Sequence, residues 1–277
     1  MVDILLSTYN GERYLREQLD SVLAQTFADW RLIIRDDGSL DGTMPLLQEY
    51  ADRYPDRIRL LTDGDRLGAC RSFGRLLEQC GDAGYYAFCD QDDVWKPDKL
   101  ALSMEVMTGA EAAHPGKPVV VHTDLQVVDE RLNEICPSFW KYTHLCPDLQ
   151  DKHLPYLAIS NSVTGCAMLF NGKARACALP MSGKAGMHDA WVALAAAARG
   201  GKIIPIHQSL VAYRQHGCNT LGAVPYSMAT RSWKERRREA RSNYERTHPL
   251  VFASKLHFYV WKAVYLLHRT VYGMKWD

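Results

Sequence analysis

Three carboxylates fall within four positions of this chain: Asp90, Asp92 and Asp93, in the stretch CDQDDVWKPDKL. Like charges this close repel and raise one another's pKa. Three things could offset that cost. The acids could be solvated at an ordinary turn, they could share a proton as an acid/base pair, or a divalent cation could sit among their oxygens. Other groups with chemical potential lie along the chain. Ser7-Thr8-Tyr9-Asn10-Gly11 and Asp36-Asp37-Gly38-Ser39 each follow an apolar run, His188-Asp189 heads a strongly helical run, and His216 stands in YRQHGCNTLG. An acid at a helix start is favoured by the helix dipole, by a few tenths to about 1 kcal/mol. Asp189 is therefore a helix cap or a functional acid on this reading alone.

The elements that must position these residues follow from the apolar pattern. Val2 to Leu6 reads as a strand, and Leu15, Leu19, Val22 and Leu23 have helical spacing. Strands at Trp30–Arg35, Ile58–Leu61, Tyr85–Cys89 and Val119–Val121 alternate with helices marked by Leu46, Leu47 and Tyr50, by Phe73, Leu76, Leu77 and Cys80, and by a run from about Pro97. This alternation predicts a mainly parallel, Rossmann-like sheet flanked by helices. Ligands of such sheets bind at the carboxyl ends of the strands, which is where the polar clusters fall. No G-x-G-x-x-G follows the first strand and no G-x-x-x-x-G-K-[ST] occurs, which counts against a dinucleotide or P-loop site. A nucleotide could bind instead through a divalent ion that offsets both the carboxylates and a diphosphate.

Beyond about residue 125 the pattern is less regular. Asn161 to Phe170 reads as a polar loop entering a strand, and the helix opened by His188-Asp189 stops at Gly200-Gly201 before another strand. His122-Thr123-Asp124 either lines a pocket or makes a strand-end turn.

The chain has 277 residues, a formal net charge of +1 and 47% hydrophobic residues, enough to bury a substantial core. It is long for one domain and short for two large ones. Its eight cysteines include no C-x-x-C pair, so reduced, buried thiols in a cytoplasmic protein are expected, with no structural zinc. No secretory signal opens the sequence.

The tail differs. RSWKERRREAR, residues 231–241, holds six Arg/Lys against two Glu. Residues 251–272 are largely apolar and aromatic, with Lys255, Lys262 and Arg269 recurring every seven positions as one cationic stripe. That many charges argue against a spanning helix and suit one lying in a membrane interface. The alternative is a helix packed on the catalytic domain or on a second subunit, as in a homodimer. Nucleic acid fits less well, since no recognition module is present.

Taken together, LSTYNGERYLREQLDSVLAQTF, IIRDDGSLDGT and CDQDDVWKPDKL, in that order, resemble the family 2 inverting glycosyltransferases of the GT-A fold. The likeness runs from Val2 to about Leu221. HDAW and YRQHGCNTLG look like the rhamnosyltransferase-like subgroup acting in bacterial polysaccharide assembly. The resemblance implies that Ser7, Tyr9 and Asn10 lie in the nucleotide pocket and that Asp37 hydrogen-bonds the base. Asp90-Gln91-Asp92 matches the D-x-D motif: Asp92 would hold Mg²⁺ or Mn²⁺ on the diphosphate, with Asp90 and Gln91 on the donor. Asp189 matches the catalytic base and His216 a late histidine that reaches the metal or diphosphate. His188 is expected to shape the turn or touch the diphosphate. Arg66 departs from the pattern, standing where many relatives carry Asn.

The reading is thus a GT-A type α/β protein in three parts. Residues 1–124 form a nucleotide-sugar-binding half, 125–221 an acceptor-binding and catalytic half, and 222–277 a basic, amphipathic helical extension. The expected activity is metal-dependent, inverting transfer of a sugar from a nucleoside-diphosphate donor, dTDP-L-rhamnose, to a saccharide or lipid-linked saccharide. It would take place at the inner face of the plasma membrane. The alternatives are a sugar-nucleotide nucleotidyltransferase, which would want a basic glycine-rich signature near the first strand, and a non-catalytic GT-A-like binding protein.

Overall fold

A computed structural model describes residues 1–61, 63–150, 152–183, 185–217, 222–223, 232–248 and 250–273. Cys218, Leu221 and Arg231, which belong to motifs quoted above, lie outside the described residues.

The first half follows the predicted alternation. Its elements are β1 (Val2–Thr8), α1 (Glu12–Leu23), β2 (Trp30–Asp36), α2 (Thr43–Arg53), β3 (Ile58–Leu61), α3 (Ala69–Gln79), β4 (Tyr85–Cys89), β5 (Val94–Trp95), α4 (Lys99–Ala113) and β6 (Val119–Val128). The second half contributes β7 (Glu134–Cys136), α5 (Phe139–Thr143), α6 (Pro147–Gln150), α7 (Leu154–Ile159), β8 (Met168–Asn171), α8 (Gly172–Ala178), α9 (His188–Ala198) and β9 (Lys202–Arg214), and the tail α10 (Trp233–Thr247) and α11 (Lys255–Gly273). The fourth helix starts at Lys99 instead of at Pro97, because the chain first spends Val94–Trp95 pairing with Ala212 and Val211.

The sheet order is β3-β2-β1-β4-β8-β6-β9-β5, with β7 on β6. β3, β2, β1 and β4 are parallel neighbours. β8 enters antiparallel between β4 and β6, and β9 runs parallel to β6. β1 shows why the sheet is covered on both faces. Val2, Ile4 and Leu6 pack with Leu15, Leu19 and Val22 of α1, whereas Leu5 packs with Phe73, Leu76 and Leu77 of α3. Successive side chains leave opposite faces of a strand, so a strand with apolar residues on both faces demands a helix on each side.

The tail packs on the second half. Phe258 and Tyr265 of α11 are buried, and Tyr156 of α7 hydrogen-bonds His268 at 2.6 Å. The opposite face of α11 is left open, with Leu256 and Leu267 at 75% and 69% exposure. Among the described residues no helix is long and apolar enough to cross a membrane. The seven cysteines among them are free thiols.

Candidate active site

A cleft of about 270 Å³ opens at the carboxyl ends of β1, β2 and β4. The strand ends and the loops after them line it with Ser7, Tyr9, Asp37, Asp90, Gln91 and Asp92, and the start of α9 adds His188 and Asp189 from the other side. Parallel strands force their exit loops onto one edge, which is why segments more than eighty residues apart in sequence meet there.

The β1 and β4 loops are tied together. Tyr9 N–H donates to Gln91 Oε1 at 2.8 Å, and Gln91 Nε2 donates back to the Tyr9 carbonyl at 3.0 Å. Gln91 thus spends both ends of its amide on the loop it faces. Gly11 leaves the room for this, since a Cβ there would lie 2.3 Å from Gln91 Oε1. Asn10 does not line the cleft. It adopts a left-handed backbone (φ 48°), and its side-chain carbonyl accepts Leu40 N–H at 2.9 Å, joining the first loop to the second. Arg66 lies over the Tyr9 ring, 4.4 Å from its centroid, and bonds its hydroxyl.

Asp37 sits at the rim of the cleft, almost fully buried. Its Oδ1 accepts from Arg35 at 2.6 Å and from Leu67 N–H at 2.7 Å, and its Oδ2 accepts from Gly68 N–H at 2.7 Å. Arg35 is fully buried and also donates to Ser72 at 2.9 Å, which in turn contacts Ser7 Oγ at 2.6 Å. This network was not legible in the motifs, which drew attention to Ser7 and Asp37 but not to the arginine and serine that orient them.

The three crowded carboxylates part company. Asp92 Oδ2 lies 2.8 Å from His216 Nε2. Asp93 turns inward and is fully buried, its Oδ1 accepting Arg214 N–H at 3.1 Å. Burial, followed by the charges of Asp92 and Asp90, pushes the Asp93 carboxyl well above its ordinary value. Asp90 is pushed up to about 8 by burial, then by Asp92 and Asp189. Asp90 therefore favours its protonated form near neutral pH. Burial thus separates the three acids, with Asp93 turned to the core and Asp90 and Asp92 lining the cleft.

Two donor sets could be tested against a divalent ion. Asp90, Asp93 and Cys166 bring one atom each within 4.8 Å of one another. The Cys166 thiol is fully buried and pushed well above its ordinary value, a soft and protonated donor that suits neither Mg²⁺ nor Mn²⁺. Asp92 and His216 offer a carboxylate oxygen and an imidazole nitrogen in direct contact, which do suit such ions. Arg214, missed in the sequence although it stands in YRQHG, ties the Asp92 backbone to neighbouring segments. Its Nε donates to the Asp92 carbonyl at 2.7 Å, its Nη1 to the Glu130 carbonyl at 2.7 Å, and its Nη2 pairs with Glu17.

Asp189 lies in the first turn of α9 but does not cap it; the N-cap is Met187. Its Oδ2 accepts Gly165 N–H at 2.9 Å and its Oδ1 accepts Ala190 N–H at 2.6 Å. Burial pushes the carboxyl up to about 6, against the opposing effect of those backbone donors. A group that ionises near 6 is mostly ionised at neutral pH yet remains basic, as a general base requires. His188 is a packing residue in this state. Its ring stacks on Phe73 at 3.9 Å and meets Phe88 edge-on at 4.5 Å, both nitrogens lack hydrogen-bond partners, and burial lowers it to about 3. His122 is likewise buried and neutral, beside Trp140, and does not line this cleft.

Residues 3–175 match the family model described as Glycosyl transferase family 2. Among curated relatives, dTDP-rhamnosyl transferase RfbG of Shigella flexneri is 34% identical over 105 residues, 37% of this chain and 36% of that protein. UDP-Glc:alpha-D-GlcNAc-diphosphoundecaprenol beta-1,3-glucosyltransferase WfgD of Escherichia coli is 35% identical over 107 residues, 39% of this chain and 41% of that protein. The matched stretch thus spans less than half the length of either relative. Among solved structures, S. aureus TarS 1–349 in complex with UDP-GlcNAc superposes with a TM-score of 0.64 at 16% identity, over 96% of this chain and 71% of that one. The mannosyltransferase PcManGT of Pyrobaculum calidifontis, in complex with GDP-Man and Mn²⁺, does so with a TM-score of 0.59 at 16% identity, over 98% and 75%. The fold is the GT-A type, and with the family model covering more than half its length this chain belongs to glycosyl transferase family 2.

Proposed function

We propose that this chain transfers a sugar from a nucleoside diphosphate to a saccharide hydroxyl with inversion, in the assembly of a bacterial surface polysaccharide. The observation that carries this is the placement of Asp189. A buried carboxylate, held by two backbone N–H groups and ionising near 6, faces Asp37, Asp90 and Asp92 across one cleft. Asp189 accepts the acceptor's hydroxyl proton as that oxygen bonds to the anomeric carbon. The bond to the diphosphate breaks with its electron pair leaving on the nucleotide. Attack on the face opposite the leaving group inverts the configuration.

Residues 1–124 bind the donor on this reading. Asp37 accepts from the imide N–H of a uracil or thymine base through the Oδ2 lone pair that Gly68 leaves free, with Tyr9 beside the base. Ser7, Asn10, Asp90, Gln91 and His188 shape the donor pocket, Asn10 by bracing the loop and His188 by packing. Asp92 and His216 hold Mg²⁺ or Mn²⁺, whose charge would stabilise the departing diphosphate. Mn²⁺ in the PcManGT structure supports a metal in this fold. Residues 125–221 supply the base and the acceptor side, and residues 222–277 the extension that meets the membrane surface or a second subunit.

For the donor we favour dTDP-L-rhamnose. The rhamnosyl and glucosyl relatives are 34% and 35% identical, so identity does not choose between them. HDAW and YRQHGCNTLG carry the preference. The test is nucleoside diphosphate release with Mn²⁺ from dTDP-L-rhamnose and from UDP-glucose. Faster release from the first is expected, with an α-linked product from a β-linked donor. Retained configuration, or formation of a sugar nucleotide from a nucleoside triphosphate, would sink the proposal.

A further inference from the structure

A second groove of about 270 Å³ lies on the outer flank of α9, between α7 and α10. Met187 lines both this groove and the donor cleft, and Ala190 lines the groove directly beside Asp189. Its walls are mostly apolar: Leu157 and Ile159 from α7, and Trp191 and Leu194 from α9. One cation stands among them. Arg246 of α10 reaches in over Gly186, where a Cβ would lie 2.8 Å from its Nη1 and 3.0 Å from its Cδ. Its hydrogen bond goes to Asn243 Oδ1, and no carboxylate among the described residues pairs with it. α10 is fixed in this place, since Asn243 Nδ2 donates to the Ile159 carbonyl at 3.2 Å and Ala240 packs in a cluster with Ala158 and Ile159.

An apolar trough with a single uncompensated guanidinium at its edge is matched by a ligand that joins an anionic group to an apolar chain. Guanidinium is the side chain best shaped for phosphate oxygens. The trough opens next to the carboxylate proposed to activate the acceptor. We infer that this groove is the acceptor-lipid subsite: Arg246 binds a phosphate that links the acceptor saccharide to an apolar chain, and Leu157, Trp191 and Leu194 cover the first part of that chain. The inference rests on the reading of Asp189 as the base, because the saccharide must then reach past Met187 to that carboxylate. It also gives the helical extension a part in substrate selection, since Arg246 belongs to α10.

Farnesyl diphosphate is a suitable probe, titrated calorimetrically into protein already saturated with dTDP and Mn²⁺ so that the donor cleft is blocked. We expect it to bind, and farnesol and inorganic diphosphate to bind far more weakly. Arg246→Ala should weaken it at least about tenfold, as loss of a charge-assisted bond implies. Gly186→Ala, which displaces the guanidinium, should act in the same direction. Both variants should bind dTDP as the native protein does. Undiminished affinity in Arg246→Ala, or no binding by native protein that does bind dTDP, would overturn the subsite while leaving the proposed function standing. Displacement of the probe by phosphatidylglycerol vesicles at equal phosphate would make the occupant a membrane headgroup and overturn the acceptor assignment. Failure of native protein to bind dTDP would overturn both.

Discussion

His216 Nε2 and Asp92 Oδ2 lie 2.8 Å apart although 124 residues separate them in the chain. His216 also stacks against Tyr14 of α1, with ring centroids 4.8 Å apart, and the Arg214 guanidinium lies over the same Tyr14 ring. The first strand's helix, the D-x-D loop and the end of β9 are thereby clamped at one point. On the proposed reading this imidazole and carboxylate would hold a divalent ion, whose charge would stabilise the departing diphosphate.

That arrangement predicts coupled loss of metal and nucleotide. Asp92→Asn and His216→Ala should each raise the Mn²⁺ concentration needed for tight dTDP binding by at least about 10-fold, since disturbing even the groups that orient a metal's ligands costs about 10- to 100-fold. Calorimetry with and without a chelator measures this. Unchanged metal dependence in both variants would remove the pair from the metal site.

Asp189 gives a pH prediction. Its carboxyl ionises near 6, above the ordinary 3.8, so kcat/KM should fall about tenfold per pH unit below 6 and level off above it. The sign for stability is opposite to that of a salt-bridged acid. A raised folded-state pKa contributes stability that is present below 3.8 and lost as pH rises through about 6. Asp189→Asn relieves that burial of charge but turns an amide NH₂ toward one of two backbone donors, at about 0.5–1.5 kcal/mol. These oppose each other, so thermal unfolding at pH 7 should shift little. Transfer should fall by at least about 10², with donor and metal binding retained. A near-native rate in the Asn variant would leave the base unassigned.

On the proposed reading Asp37 both holds Arg35 and the 67–68 backbone and recognises the base, and the variants separate the two. Asp37→Ala leaves fully buried Arg35 and two backbone N–H groups short of an acceptor, at about 1–3 kcal/mol of stability. Arg35 keeps Asp63 and Ser72, which limits the damage. Asp37→Asn should fold better yet still lose preference for uracil and thymine nucleotides, by about 1.5–3 kcal/mol for one charge-assisted bond. Thermal melts and competition between dTDP and GDP read the two effects apart. Equal binding of all nucleotides by the native protein would count against base recognition.

The open face of α11 carries Leu256, Tyr259, Val260, Leu266, Leu267 and Val271, all exposed. Leu256→Glu combined with Leu267→Glu should abolish co-sedimentation with phosphatidylglycerol vesicles and leave dTDP binding intact. If the native protein ignores vesicles and instead sediments as a dimer that this variant splits, the face is a subunit contact.

By itself the sequence determined the sheet, its flanking helices and the edge on which the chemistry gathers. Apolar period and turn residues are local signals, and parallel strands leave no choice about where their exit loops go. The start of α9 at His188-Asp189 was legible for the same reason, because a helix start is written in neighbouring residues. Tertiary structure decided the rest. Asp92 and Asp93 are chemically identical neighbours, yet one faces the cleft and the other the core, since His216 meets Asp92 and the Arg214 backbone, far along the chain, receives Asp93. Asn10 looked like a pocket residue and instead braces a loop, because its partner Leu40 is close only in the folded chain. In α11 both faces are apolar by composition; only the docking of Phe258 and Tyr265 onto the second half settles which is left to meet something else.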